Sequence, residues 1–154
     1  MNNNPQFYIG VACKEHVENG VKLGIAQFCH GKSAPAKRLN KGDYVIYYSS
    51  KITFSSQEPY QKFTALGVVK DNELYQADMG DDFKPFRRNI DYYEAQHIDI
   101  KPLIENLPFI KNKKSWGYVF RYGFFKIDQQ SFTLIAKSML GYSPEKEPNT
   151  SAIG

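Results

Sequence analysis

Short apolar segments rich in β-branched and aromatic residues recur along the chain and predict β-strands. One of them, at residues 62–71, is almost continuously apolar, which is typical of a central strand. Pro85 interrupts a later segment and places that end of the strand at an edge or a bulge. The predicted strands have the sequences QFYIGVA, GDYVIYYSS, KFTALGVVKD, NELYQADM, FKPFRRNIDYYEAQ and YGFFKI.

Three further segments predict helices. KEHVENGV follows the first strand, and KPLIENL carries Pro102 in its first turn, where proline is well tolerated. The last helix begins after Asp128, a good N-cap, and ends at Gly141. Its apolar residues recur at spacings of three and four and form a stripe that faces a core: Phe132, Ile135, Ala136, Met139 and Leu140.

This order of elements predicts an α+β fold, a small curved mixed β-barrel with peripheral helices. We expect a single domain over residues 7–142, because a chain of 154 residues is long enough for one sizeable core. Residues 1–6 and 143–154 are polar and contain proline, so we expect a flexible N-terminus and a flexible tail.

Aromatic residues change the picture of the core. They make up 15% of the chain, with 11 Tyr and 11 Phe against one Trp, so much of the core should consist of rings.

The net charge of +4 permits a nucleic-acid partner without requiring one. Two cysteines without a disulfide spacing, no signal sequence and no membrane-length apolar run lead us to expect a soluble, cytoplasmic monomer.

The candidate ligands for a metal site are Cys13, His16, Cys29 and His30. The two-residue gap in CKEH suits zinc, but Cys29 and His30 are adjacent, and adjacent side chains of an extended chain point in opposite directions. The same adjacency argues against a nucleophile and its base, since the base normally comes from elsewhere in the fold. We therefore expect no metal, no cofactor and no catalytic residue here.

The stretch DMGDDFKPF carries the alternative of an enzyme. Asp82 and Lys84 have the acid-x-Lys spacing of metal-dependent nucleases, and Asp71 or Asp78 supplies a second carboxylate. Two carboxylates and a lysine can hold magnesium and activate a water molecule. Gly and Asp in this stretch are equally typical of a solvated turn. A nuclease or hydrolase acting on nucleic acid through Asp78, Asp82 and Lys84 thus stays open as the alternative function.

A basic connector follows Phe28. The sequence CHGKSAPAKRLNKGD has neither helical nor strand periodicity until Asp43. Many such charged stretches are only solvated, but connectors of this length in compact domains are often functional. Lys32, Lys37 and Arg38 are our candidates for phosphate contacts.

Two arginine-containing segments suggest a binding site. Arg87 and Arg88 are adjacent on a predicted strand, so one should face inward and serve a pocket or pair with an acid. The segment KNKKSWGYVFRYGFFKID holds Trp116, which we expect near the mouth of a site because polar residues precede it. We expect Arg121 to brace the rim by reaching an acid or backbone carbonyls. Four residues are expected under the last helix: Tyr118, Phe120, Phe124 and Ile127.

Six of these segments occur in an order and spacing that resemble those of a known family, the EVE domain of the PUA-like superfamily, which is related to YTH domains. The resemblance runs from Phe7 to Leu140 and is strongest for bacterial proteins in which the domain stands alone. HGKSAP, PFRR and WGxxFRxG are its most specific motifs. The segments are FYIGVACKEHVENGV, FCHGKSAPAKRLNKGDYVIYYS, FTALGVV, YQADM, PFRRN and SWGYVFRYGFFKI.

The resemblance implies a small β-barrel and a pocket that takes up a nucleobase, often a modified one, turned out of its strand. The pocket wall that it implies comes from three places in the chain. They are the loop after the first helix with Gln27, Phe28, Cys29, His30, Gly31 and Lys32, the strand with Tyr48 and Ser49, and the strand with Arg87 and Arg88.

The leading hypothesis is a non-catalytic module that binds DNA or RNA through such a base. Trp116 supplies a stacking surface, Ser49 and Gln27 read the base edge, and the basic connector holds phosphates, which makes affinity depend on salt. Besides the nuclease, a sensor of a small nucleotide-like ligand is a third hypothesis. Such a sensor would bind a free nucleoside as tightly as an oligonucleotide.

Overall fold

The computed structural model describes residues 4–145. Its strands are β1 Phe7–Val11, β2 Ile25–Ala26, β3 Tyr44–Lys51, β4 Pro59–Gln76, β5 Phe86–Tyr92, β6 Ile98–Asp99 and β7 Phe124–Ile127. Its α-helices are α1 Lys14–Leu23, α2 Ser33–Arg38 and α3 Gln129–Leu140, and 3-10 turns cover Cys29–Gly31, Lys101–Asn106 and Trp116–Tyr122. Within residues 4–145, none of the helices has the length and apolar character needed to cross a membrane.

The strands form one mixed sheet in the order β2-β5-β4-β3-β1-β7, with β6 paired to β4 beside β5. Neighbours are antiparallel except β1 and β3, which run parallel. The predicted α+β class and mixed sheet are confirmed. The sheet is open: its end strands β2 and β7 do not pair with each other, so the predicted barrel is curved but not closed.

Strand β4 is a single strand of 18 residues, where the sequence pattern predicted two. Its first half pairs with β3 and β6, and its second half pairs with β5. A bulge interrupts the β3 pairing: Tyr47 faces Ala65 and Tyr48 faces Phe63, so that Thr64 is an extra residue on β4.

Two buried clusters lie on the two faces of the sheet. Tyr48 belongs to the larger cluster and Tyr47 to the smaller one, as expected for successive residues of a strand. The larger cluster lies beneath α3, whose predicted apolar stripe packs into it through Phe132, Ile135 and Met139. Phe120 and Ile127 join this cluster as predicted, whereas Phe124 packs in the smaller one. The prediction for Tyr118 was wrong, since it is 59% exposed.

The predicted ends of α3 are confirmed. Asp128 has extended backbone, and its carboxylate accepts a hydrogen bond of 2.8 Å from the Ser131 backbone N–H. Gly141 takes the left-handed conformation, with φ at 89°, and its N–H donates to the Lys137 carbonyl. These local signals were sufficient to place the helix.

The basic connector differs from the prediction. Residues 33–38 form the short helix α2. The sequence there lacks helical periodicity because this helix buries only Ala36 and therefore needs no apolar stripe. The described parts of the chain ends also contact the domain. The Gln6 N–H donates to Asp43 at 2.9 Å, and the Thr133 hydroxyl donates to Glu145 at 2.6 Å. The rest of the predicted flexible ends, residues 1–3 and 146–154, lies outside the described residues.

Candidate functional site

An open cleft of about 590 Å³ lies between the ends of β1 and β3 and the turn Trp116–Tyr122. We call it the Trp116 cleft. It brings together three residues singled out from the sequence, Tyr48, Trp116 and Arg121. Its volume falls in the range of about 300–1,000 Å³ that is usual for small-molecule sites.

The floor of the Trp116 cleft is aromatic. The rings of Tyr48 and Phe120 stack with their centroids 4.0 Å apart, and Trp116 meets Phe120 edge to face at 6.4 Å. Tyr48 and Phe120 are buried, whereas Trp116 is half-buried, so its indole both packs on the core and faces the cleft. Burial, assisted by the charge of Asp99, raises the pKa of the Tyr48 phenol, so its hydroxyl stays neutral.

Cations stand on the rim of the Trp116 cleft. Lys114 and Arg121 are exposed, and the Arg121 guanidinium lies 5.3 Å from the ring centroid of Tyr118. The predicted brace from Arg121 to an acid or a carbonyl is not what the structure shows: the guanidinium is exposed over a ring, where water can solvate it. Among the residues that line the cleft in the described chain, none is acidic.

Polar groups that could read a ligand edge come from Ser50, Gln61 and Ser115. Ser49, which the sequence analysis assigned to this task, is fully buried on the other side of β3, and its hydroxyl bonds to that of Thr64 at 2.8 Å. Strand alternation from Tyr48 would have found Ser50, because residues two apart share a face.

A second, smaller region lies on the Tyr47 side of the sheet. We call it the Arg87 cavity; it encloses about 110 Å³ and is lined by Gln27, Arg87, His16, Tyr47 and Met79 among others. The guanidinium Nε of Arg87 donates to the Gln27 side-chain oxygen at 3.0 Å, and a terminal nitrogen donates to the Met79 sulfur at 3.2 Å. Gln27 and Arg87, each predicted to line the pocket, thus lie together, but away from the Trp116 cleft.

The electrostatics of the Arg87 cavity are set by burial. Desolvation lowers the pKa of His16, with a backbone hydrogen bond to Gln27 acting in the opposite direction and the charges of Arg87 and His30 adding to the lowering. The Tyr47 hydroxyl donates to the Gln27 carbonyl at 3.1 Å, and burial raises the pKa of this phenol. Several polar groups that line this cavity therefore bond to one another.

Arg88 lies outside both regions. The prediction that one arginine of the pair faces inward is confirmed, since Arg88 is 2% exposed. Its guanidinium donates to the carbonyls of Ala36, Leu39 and Asp71, the first at 2.7 Å and the last at 2.8 Å. It pairs with backbone and not with an acid, and it fastens β5 to the end of α2.

The loop after β2 has mixed surroundings. Phe28 is buried and packs on Tyr47 and Phe124 at centroid distances of 5.6 and 4.6 Å. Gly31 has φ at 80°, and a Cβ there would come within 2.3 Å of Pro85, so only glycine fits. Cys29 is half-buried with its sulfur 4.0 Å from the Tyr122 carbonyl oxygen, and His30 is exposed. None of these four lines the Trp116 cleft.

The predicted phosphate contacts lie on and beside α2. Lys32 and Lys37 are exposed. Arg38 is also exposed, and its guanidinium lies over two stacked rings, 5.5 Å from the centroid of Tyr8 and 5.2 Å from that of Phe124. The rings hold this cation at the surface in one orientation.

The alternative enzymatic residues lie on an exposed turn between β4 and β5. The Asp78 carboxylate accepts a bond of 3.0 Å from the Gly80 N–H, and Asp82 has φ at 61°. Asp82 and Lys84 are exposed there. In residues 4–145 there is no group of three or more His, Cys, Asp or Glu side chains that could hold a metal ion, here or near Cys13 and Cys29.

Comparisons with known proteins agree with one another. A family model described as an EVE domain matches residues 6–138. A Bacillus licheniformis protein described as "UPF0310 protein in gntR 5'region" is 49% identical over 127 residues, which cover 82% of this chain and 86% of that protein. A UPF0310 protein of Mycolicibacterium vanbaalenii is 39% identical over 133 residues, or 86% of this chain and 92% of that one.

Solved structures share the fold at low sequence identity. The crystal structure of Atu2648 from Agrobacterium tumefaciens is similar with a TM-score of 0.55 at 11% identity, over 94% of this chain and 99% of that one. The NMR structure of Rpa0253 from Rhodopseudomonas palustris gives a TM-score of 0.51, also at 11% identity, over 93% and 96%. These similarities support the architecture alone.

Proposed function

The chain belongs to the EVE domain family, and from this premise we propose that it is a nucleic-acid-binding module that takes a nucleobase into the Trp116 cleft without catalysis. The partner is DNA or RNA, and the resemblance of its motifs implies a modified base as the preferred one. The observation that carries the proposal is an aromatic surface with exposed cations and no acid in the same cleft.

Each part of the cleft has a task in this proposal. The indole of Trp116 stacks on the base, a contact that contributes about 1–3 kcal/mol. Ser50, Gln61 and Ser115 offer the hydroxyl and amide groups that can bond to the base edge. Lys114 and Arg121 on the rim attract the flanking phosphates.

The remaining predicted residues are assigned by where they lie. We propose that Lys32, Lys37 and Arg38 contact phosphates further along the strand, since they are exposed but outside the cleft lining. Gln27 and Arg87 are proposed to shape the loop beside the site through their mutual hydrogen bond. Arg88 holds the end of α2, which carries Lys37 and Arg38, against β5.

The test is a binding screen with short labelled oligonucleotides, DNA and RNA, each carrying one modified base, at two salt concentrations. We expect Trp116→Ala to weaken binding of the preferred oligonucleotide by about 1–3 kcal/mol, as one lost stacking contact does. We expect its thermal stability to fall less than for loss of a core tryptophan, which costs about 3–5 kcal/mol.

Phe83→Ala is the control, because it removes a solvent-exposed ring that lies outside the cleft, on the turn before β5. A folded Trp116→Ala protein that binds as well as the parent would refute the stacking site. A free nucleoside that binds as tightly as the oligonucleotide, without dependence on salt, would favour the sensor instead. Turnover with magnesium that is lost in Asp82→Ala would favour the nuclease.

A further inference from the structure

The tip of the β3–β4 hairpin, residues 52–58, carries a strongly exposed apolar side chain. Phe54 is 76% exposed, more than any other large apolar side chain in the described part of the chain. A phenyl ring so exposed has no role in the core, because it belongs to neither buried cluster. Exposed rings of this kind often mark contact surfaces.

The hairpin places Phe54 beside the Trp116 cleft. Ser50 before the tip and Gln61 after it both line the cleft. Phe54 is four positions after Ser50, so their Cα atoms lie within about 14 Å of each other, which is the reach of four extended residues. A ring at this distance is within a few nucleotides of a base held in the cleft.

The tip is held in position by backbone hydrogen bonds. The Glu15 N–H at the start of α1 donates to the Ile52 carbonyl at 2.9 Å, and the Ser56 N–H donates to the Thr53 carbonyl at 3.2 Å. The Glu58 N–H donates to the Ser56 hydroxyl at 3.2 Å. Phe54 is therefore presented to solvent by a folded turn that is anchored to the rest of the domain.

Lysines and glutamates share this part of the surface, with Lys14, Lys51 and Lys62 as the cations and Glu15, Glu18 and Glu58 as the acids. The ammonium of Lys51 lies 5.4 Å from the centroid of the Phe54 ring. Lys62 and Lys14 lie 4.9 and 5.8 Å from the centroid of Tyr60, on the strand that leaves the tip, and Lys14 also pairs with Glu18. Lys51 and Lys62 each place an ammonium group against a ring, so a cation and an aromatic face are presented together, which suits a polyanion with apolar faces between its charges, such as stacked nucleic acid.

We propose that Phe54 is a wedge that enters the base stack of a duplex and fills the gap left by the base taken into the Trp116 cleft. This inference rests on the proposed function and adds to it that the partner is double-stranded. Turning a base out of a duplex costs a few kcal/mol of lost stacking and pairing. Apolar side chains that insert between base steps offset that cost, and the nearby lysines contact the flanking phosphates.

The test compares three probes: a short fluorescein-labelled duplex of mixed sequence, the labelled strand alone, and the duplex with one central mismatch, each made as DNA and as RNA. We expect Phe54→Ala to weaken duplex binding by about 5- to 150-fold, the ratio that corresponds to 1–3 kcal/mol. We expect single-strand binding to change by less than about twofold, since no gap needs filling. The loss on the mismatched duplex should be intermediate, because its base leaves more easily.

Two further variants separate the wedge from the cleft. Trp116→Ala should weaken binding of all three probes, and Phe54→Leu should retain most duplex affinity because leucine also serves as a wedge. An equal loss on single strand and duplex, or no loss on either, would overturn the wedge while leaving the cleft in place. Binding of the single strand but not of the duplexes by the parent protein would overturn the wedge and leave the proposed function in place, whereas failure to bind these probes and the modified-base oligonucleotides of the screen would overturn both.

Discussion

The Trp116 cleft and the Arg87 cavity differ in how far their polar groups are available to a ligand. In the cleft, the cations are exposed and the serine and amide groups face open space. In the cavity, the guanidinium of Arg87 bonds to Gln27 and Met79, and the Tyr47 hydroxyl bonds to backbone. Tyr47 and Tyr48 are adjacent in sequence, yet each serves a different region, because a strand alternates its side chains between two faces.

The comparison shows that the type of a residue is a weaker guide to binding than its partners. Arg87 and Arg121 have the same chemistry, but only Arg121 faces solvent without a side-chain acceptor in the described structure. A ligand that binds Arg87 must displace the hydrogen bonds that Arg87 already makes. A ligand that binds Arg121 needs to displace only water from a guanidinium that already lies over the ring of Tyr118.

The largest effect should come from Arg88, the buried neighbour of the cavity residue Arg87. Arg88→Met removes a guanidinium that donates to three carbonyls. Hydrogen bonds to charged groups contribute about 1.5–3 kcal/mol each, so we expect the free energy of unfolding to fall by about 3 kcal/mol or more. Urea unfolding of the parent and the variant measures this difference in the free energy of unfolding. Wild-type stability in this variant would show that the carbonyls find other donors.

A smaller effect is expected for Arg87 itself, and it bears directly on which region holds the base. Arg87→Leu should lower the free energy of unfolding by about 0.5–1.5 kcal/mol, less than for Arg88, because its hydrogen bonds to Gln27 and Met79 are partly exposed to water. Oligonucleotide affinity should fall no more than in Lys84→Ala, which removes the same charge from an exposed position nearby. An affinity loss as large as that of Trp116→Ala would move the base site into the Arg87 cavity.

The smallest effect concerns pH. Burial lowers the pKa of His16 in the folded protein, whereas in the unfolded chain it stays near its usual value of about 6.5. Below pH 6.5 or so the unfolded chain therefore binds a proton that the folded protein does not, and stability falls as the pH decreases toward the folded value. His16→Gln should reduce this loss between about pH 7 and pH 5.

Urea unfolding at several pH values checks this prediction. One proton contributes a slope of at most about 1.4 kcal/mol per pH unit. His97, whose pKa is also lowered by burial, contributes in the same direction, so the variant of both histidines should show the flattest profile. If the pH dependence of stability is unchanged in His16→Gln, His16 takes up its proton at the same pH in the folded and the unfolded protein.

Much of the fold followed from local signals in the sequence. The cap at Asp128, the glycine at Gly141 and the apolar stripe between them are all within one helix, and each was found correctly. The helix α2 was missed because it has no stripe to detect. The continuity of β4 was missed because the polar residues of its outer half resemble a turn when the pairing with β5 is unknown.

The site was predictable in part for a similar reason. The single Trp116 in a polar context indicated a surface position, and the structure places it half-buried in the cleft lining. Which serine faces the cleft depended on the register of β3, and the partners of Arg88 lie as far as 52 residues away in sequence. Such contacts depend on the tertiary structure and cannot be predicted from a local sequence pattern.

The bulge at Thr64 makes the domain unequally tolerant of insertions and deletions. Because Thr64 is the extra residue, its loss would leave Phe63 opposite Tyr48 and keep every side chain on its present face. One further residue inserted beside the bulge would turn the preceding side chains of β4 to the opposite face, so that Phe63 leaves the core and Gln61 leaves the cleft. The same insertion at residues 52–58 would leave both strands in register and change only the turn that carries Phe54. Added residues are therefore tolerated at the tip of this hairpin and not within its strands.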